Sequence, residues 1–238
     1  MENRKDARAA VLDNRLSLIC SLVPKGSILA DIGTDHGYLS VALLREDICP
    51  KVYACDVNEM PLASAKKNLA DLPADRWETV LTDGTKGLPL AVNCFVVAGM
   101  GAELILHILD EGKPFWREDV IWILQPMTKQ EQLRGGLAER GFAVETEKAT
   151  FDSKKGYTVM VCRYTGKPYT LLAKEAWFGL HLAQTNEQPS KKYLLLRADR
   201  LAQIAAGKCQ ASSLDEDDPV LVLWKESELL RQTWEETE

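Results

Sequence analysis

The sequence predicts an α/β fold, a mostly parallel seven-stranded sheet followed by a small helical appendage. Three observations predict it. Between residue 28 and about residue 163, short apolar runs alternate with longer helix-like segments, the pattern of repeated βαβ units. A loop rich in glycine and acid, Asp31-Ile-Gly-Thr-Asp-His-Gly37, follows the first apolar run. Beyond Gly166-Lys-Pro168 the pattern changes to long segments with heptad spacing.

The strand candidates, in chain order, are Ile28 to Asp31, Lys51 to Asp56, Glu78 to Leu81, Cys94 to Ala98, Val120 to Gln125, Phe142 to Glu147 and Tyr157 to Arg163. Helices should begin near Gly37, Pro61, Ala102 and Thr128. Pro61 suits a first helical turn, where its missing N–H costs nothing. Only Lys148 to Gly156 separates the last two strands, too short for a helical crossover and ample for an antiparallel hairpin. Leu171 to Ala183 reads as one helix and Thr185 to Ser190 as a polar turn. Two longer helices follow, separated by Gly207 to Pro219. Leu194, Ala198, Leu201 and Ala205 form a heptad seam on one, and Val220, Leu223, Ser227, Leu230 and Trp234 on the other. They should pair antiparallel. The expected division is a domain over 1–166 and a helical hairpin, coiled-coil-like in its spacing, over 167–238.

Net charge is -6, with 21 basic and 23 acidic residues up to position 167 and 8 and 12 beyond it. That balance argues against a wholesale basic nucleic-acid binder but permits a local positive face. No run approaches the roughly 20 apolar residues of a membrane span, and MENRKDARAA lacks the apolar core of a signal peptide. A cytoplasmic address is expected, with no membrane partner. The six cysteines are scattered, without a C-x-x-C pair. They read as free thiols, and no metal site is expected.

The loop at residues 31 to 37 carries the chemistry. Gly33 and Gly37 let the strand turn sharply and let a ligand approach the backbone. A dinucleotide site needs G-x-G-x-x-G to cradle a pyrophosphate, but Asp35 replaces the middle glycine and Asp31 precedes the loop. These carboxylates repel phosphate. S-adenosylmethionine (AdoMet) has none, carries a cationic amino group and a sulfonium, and tolerates them. Asp-x-Gly-x-x-x-Gly after a first strand matches methyltransferase motif I with one variant position. Asp56, 25 positions after Asp31, ends the second strand, where a carboxylate can accept both ribose hydroxyls of an adenosine. Asp83, after the third strand, can accept an adenine amino group or serve as a turn carboxylate. Gln125 can hydrogen-bond a base edge or cap its strand. His36 can orient substrate or satisfy its own loop; His107 and His181 fall within helices and read as structural.

Five parallel strands followed by a hairpin is the chain order of Rossmann-like class I methyltransferases. Ala30-Asp-Ile-Gly-Thr-Asp-His-Gly-Tyr-Leu39, Val57-Asn58, Asp83-Gly84, Ala98-Gly-Met-Gly101 and Leu124-Gln-Pro126 together resemble the bacterial TrmK family, the tRNA (adenine-22, N1)-methyltransferases. The resemblance covers the whole chain, including Tyr169-Thr170 and the C-terminal helices. Gly37 departs from a frequent alanine, and Ala102 from a common glycine. The Asn/Asp-Pro-Pro-aromatic motif of aminomethylating relatives is absent at Ala98-Gly99. The resemblance implies that AdoMet is held by Asp31, Gly33, Asp56, Asp83 and Gly99; Thr34, Asp35, Gly37, Val57, Asn58, Gly84 and Ala98 are the further cofactor-binding candidates beside them. It also implies that tRNA is the partner. His36, Tyr38 and Gln125 are the candidate catalytic residues, and the oligomeric state is open between a monomer, the favoured expectation, and a dimer through the helical seam.

Basic candidates for RNA contact are Arg4, Lys5, Arg8 and Arg15, then Lys154-Lys155, then Lys192, Arg197 and Arg200, which face away from the Leu194/Leu201 seam. A solvated face is the alternative. Two other functions fit the same sequence: a small-molecule methyltransferase, and a catalytically silent nucleotide- or RNA-binding module.

Overall fold

The computed structural model describes residues 12–211 and 218–235. Seven strands form one sheet: β1 (Ile28–Ile32), β2 (Lys51–Asp56), β3 (Trp77–Leu81), β4 (Cys94–Gly101), β5 (Ile121–Thr128), β6 (Phe142–Asp152) and β7 (Lys155–Tyr164). Their order is β3-β2-β1-β4-β5-β7-β6. Strand β1 runs parallel to β2 and β4, β2 parallel to β3, and β6 antiparallel to β7. All seven expected strands are present, and the last two form the expected hairpin. Helix α1 (Asn14–Leu22) precedes β1, and between the strands lie α2 (Tyr38–Arg45), α3 (Glu59–Leu69), α4 (Ala102–Glu111) and α5 (Gln130–Glu139).

The chain divides into two compact units, one up to Ala98 with Ile108–Ile123, the other Gly99–His107 with Leu124 onward. In the first unit the apolar strands bury Leu29, Val52, Ala54, Phe95 and Val97 completely. Phe95 stacks on Trp122 at 4.3 Å and meets Phe115 edge-on at 4.8 Å. Gly112 permits that stack, since a Cβ there would sit 2.7 Å from the Trp122 ring. Helix α1, absent from the sequence expectation, starts where the Asp13 carboxylate accepts the Leu16 N–H at 2.7 Å, an N-cap that satisfies an otherwise orphaned donor.

In the second unit α6 (Ala173–Phe178), α7 (Leu180–Gln184), α8 (Gln188–Ala211) and α9 (Pro219–Glu235) pack with the hairpin around Ala149, Phe178, Leu182, Tyr193 and Leu194. The single helix expected over Leu171 to Ala183 is two helices, broken at Gly179 with φ +83°. A Cβ at Gly179 would stand 2.5 Å from a Glu147 oxygen, so glycine is required there and the helix cannot continue through it. Helix α8 also begins earlier than expected, taking in Gln188 to Ser190, and runs past Gly207.

Both heptad seams are inward. Leu194, Ala198, Leu201 and Ala205 are at most 1% exposed, and Ser227 is fully buried. Ion pairs join Lys208 to Asp218 at 2.9 Å and Asp199 to Arg231 at 2.7 Å, a crossed order that makes α8 and α9 antiparallel. Arg134 and Glu147, 2% and 3% exposed, form the buried polar centre of this unit. Arg134 bonds both Glu147 oxygens at 2.6 and 3.1 Å, and its Nη1 donates to the carbonyls of Ala176 and Trp177. The six cysteines are free thiols, five of them buried. Among the described residues no helix is long and apolar enough to cross a membrane.

Candidate active site

The acidic loop follows β1 and is tied to β2. The N–H groups of Gly33 and Thr34 both donate to the Cys55 carbonyl at 2.9 Å. Gly33, Asp35 and Gly37 are left-handed, with φ of 73°, 53° and 71°. At Gly37 a Cβ would lie 3.0 Å from the Ala65 Cβ, so the loop presses close against α3. Asp35 adopts the same region with a side chain, a conformation most residues avoid and Asp tolerates.

Asp31 sits beneath the loop, 5% exposed. Its Oδ2 accepts the hydroxyls of Thr34 at 2.7 Å and Ser40 at 2.8 Å. Burial pushes its carboxyl above the ordinary value, the two hydroxyl donors pull it back, and the Asp56 carboxylate adds to the rise. Such a site lowers its energy by taking up a cation. Thr34 thus shapes the site through Asp31. Ser40, which sequence reasoning did not single out, does the same; its only signal is a hydroxyl inside the apolar helix Tyr38-Leu-Ser-Val-Ala-Leu-Leu44.

Asp56 closes β2 half-buried, and its Oδ1 accepts the Asn58 N–H at 2.9 Å. Asn58 begins α3, and Val57 between them is 58% exposed. Asp83 stands exposed in the turn after β3, 3.9 Å from Lys86, with Gly84 left-handed behind it. The parallel register sets Asp31 beside Ala54 and Asp56 beside Leu81. Three carboxylates therefore end, or directly follow, three adjacent strands on one rim of the first unit. His36 on the loop and Tyr38 at the start of α2 are exposed, ring centroids 5.5 Å apart. The His36 carbonyl accepts the Asn68 amide at 2.9 Å, a support the sequence pattern did not signal. His36 Nε2 lies 3.6 Å from Asp35 Oδ1.

Ala98 is half-buried near the end of β4, and Gly99 follows it within the strand, exposed and left-handed at φ +80°. Gln125 and Gly99 lie in the second unit, where the Gln125 Oε1 accepts the Gly99 N–H at 3.1 Å. His181 Nε2 bonds the Val144 carbonyl at 2.6 Å, a structural role.

The basic candidates separate. Arg197 is 8% exposed, stacked 4.0 Å over Trp177 and paired with Glu131 at 2.8 Å. It faces protein, which corrects its assignment to an outward face: the helical wheel considered only the α8/α9 seam. Lys154, Lys155, Lys192 and Arg200 are exposed. Arg15 is near Asp13 at 3.6 Å, while Arg4, Lys5 and Arg8 lie outside the described residues.

Comparison with known proteins agrees with this geometry. A sequence profile of the methyltransferase domain family matches residues 12–160. The tRNA (adenine(22)-N(1))-methyltransferase of Bacillus subtilis (strain 168) is 29% identical over 152 residues, 63% of this chain and 64% of its own. The chain thus spans just under two thirds of that relative. The crystal structure of Streptococcus pneumoniae Sp1610 in complex with S-adenosyl-L-methionine superposes with a TM-score of 0.79 at 27% identity, over 92% of this chain and 99% of that one. The B. subtilis TrmK crystal structure shares the fold, with a TM-score of 0.78 at 24% identity, over 94% and 98% of the two chains. A family profile over most of the chain, an acid-lined loop in place of a phosphate cradle and whole-length structural likeness lead to one conclusion: the chain is a TrmK-like member of the methyltransferase domain family.

Proposed function

We propose that the protein is an AdoMet-dependent methyltransferase acting on N1 of adenine 22 in tRNA, a monomer working in the cytoplasm where its substrate is. The observation that carries the cofactor half is the buried Asp31 carboxylate beneath a left-handed loop, followed by Asp56 and Asp83 on the adjacent strand ends. A nicotinamide dinucleotide would bring a pyrophosphate to the same place and be repelled. Bound there, AdoMet supplies an electrophilic methyl on a cationic sulfonium.

The residues of this chain would do the rest. Asp31, through the loop it holds, would face the cationic amino acid end; Asp56 would accept the ribose hydroxyls, and Asp83 the adenine amino group. Gly33 and Gly37 let the ligand reach backbone, and Val57 and Asn58 flank the ribose acid. N1 of adenine has an in-plane lone pair, so the enzyme must align it more than deprotonate it. That atom lies on the Watson–Crick edge, so the nucleotide must be unpaired or flipped out before transfer. His36 and Tyr38, exposed beside Asp35, are suited to receive it.

The substrate half is supported by the B. subtilis relative, whose name states that reaction. Incubating the protein with radiolabelled AdoMet and total bacterial tRNA, and separately with a metabolite extract, tests both halves. Label entering tRNA alone is the expected result. Label entering only small molecules would overturn the tRNA assignment, and no transfer to either would favour a silent binding module.

A further inference from the structure

Gln125 lies near the end of β5 with no exposed surface, and both ends of its amide meet backbone. Its Oε1 accepts the Gly99 N–H at 3.1 Å and its Nε2 donates to the Pro126 carbonyl at 2.9 Å. A buried amide engaged in this way has no edge to present to a nucleobase. We infer that Gln125 is a positioning residue that fixes the exposed, left-handed Gly99 near the end of β4 as the platform for the target adenine; this rests on the function proposed above.

Gly99 is left-handed at φ +80° and exposed. A left-handed glycine near a strand end lets a flat base approach the backbone, but its conformational freedom must be held in check for that backbone to present one geometry. The Gln125 amide is that hold, and its burial makes it rigid, because an unmet partner there would carry the full desolvation cost. A second tie lies outside it. Lys129, itself left-handed at φ +57°, pairs with Glu103 at 2.5 Å. Between the two ties a Cβ on Gly101 would stand 3.4 Å from the Thr128 hydroxyl, so the ends of β4 and β5, neighbours in the sheet, run side by side. Two bridges, one buried and one exposed, thus fasten residues 99–103 to residues 125–129. Alignment is the main demand of an N1 nucleophile, and the missing Asn-Pro-Pro-aromatic grip leaves the backbone at Gly99 to provide it.

The test uses the full-length protein and its Gln125→Leu and Gln125→Glu variants. Hydrogen exchange at the Gly99 amide reads the clamp without any substrate: protection is expected in the parent and faster exchange in Gln125→Leu. At saturating AdoMet and tRNA, Gln125→Leu should lose kcat by about 10- to 100-fold, the scale of a misplacement near 1 Å. A neutral glutamic acid can both accept from Gly99 and donate to Pro126, whereas the carboxylate cannot donate. Gln125→Glu should therefore regain kcat as pH falls, a profile the parent lacks. Unchanged Gly99 exchange in Gln125→Leu would overturn the clamp. So would a loss of kcat that only tracks a loss of AdoMet affinity or of folded protein. A parent enzyme inactive on tRNA but with a protected Gly99 would instead overturn the tRNA assignment.

Discussion

Asp31 sits under the loop with one oxygen already holding two hydroxyls, and burial raises its carboxyl above the ordinary carboxylate value. The unfolded chain ionises this group at the lower pH. Between the two values the folded state binds the extra proton, so stability falls as pH rises through that window, and the penalty is complete above the folded value. Binding of a cationic ligand runs the other way, because it needs the carboxylate. AdoMet affinity should therefore weaken as pH drops through the raised Asp31 value, and Asp31→Asn should abolish that acid limb. Calorimetry across pH decides it, and an unchanged profile in the variant would remove Asp31 from the ligand's field. Asp56→Ala should weaken AdoMet binding by roughly 1.5 to 3 kcal/mol, the usual loss for hydrogen bonds to a charged group. An unaltered Kd would place the ribose elsewhere.

Among the elements, the hairpin and the four C-terminal helices depend on one another. The Arg134–Glu147 pair is buried, Thr158 donates to Glu147 at 2.6 Å, and the carbonyls of Ala176 and Trp177 complete the arginine. Glu147→Gln leaves the guanidinium buried without its counter-charge, and denaturant unfolding should show a loss of about 3 to 5 kcal/mol. Truncation after Gly166 removes those two carbonyls and the cover over Ala149 and Phe151. The shortened chain should bind a hydrophobic dye and melt earlier than the full chain; an identical melting temperature would show that the segment before Gly166 folds alone.

These elements also show what a sequence can reveal. The first, second, fourth and fifth strands were legible because each is a short apolar run that meets Gly, Asp or Gln at its end. The heptad seams were legible because period alone defines them. The break at Gly179 was not, since it is imposed by Glu147, 32 positions away. Arg197 was misread for the same reason: Trp177 and Glu131, which hold it, belong to other elements. Of the site, the acids and glycines were visible as a motif, whereas Asn68 and the buried setting of Gln125 needed the fold.

For the whole molecule, a net charge of -6 means that any tRNA must be attracted by local patches. Binding of tRNA should weaken steeply with salt while AdoMet binding does not, and Arg200→Glu should flatten the slope by about one unit for each phosphate left without its cation. Arg197→Ala should instead lower stability, with little change in that slope, because its guanidinium is engaged with Trp177 and Glu131. Filter binding at several salt concentrations distinguishes the two. The central claim is the identity of the methylated atom, and digestion of treated tRNA followed by mass spectrometry tests it most directly. N1-methyladenosine at position 22, formed only with AdoMet, is the predicted product. A methyl group on the exocyclic amine, on another nucleotide, or on no nucleotide would contradict it.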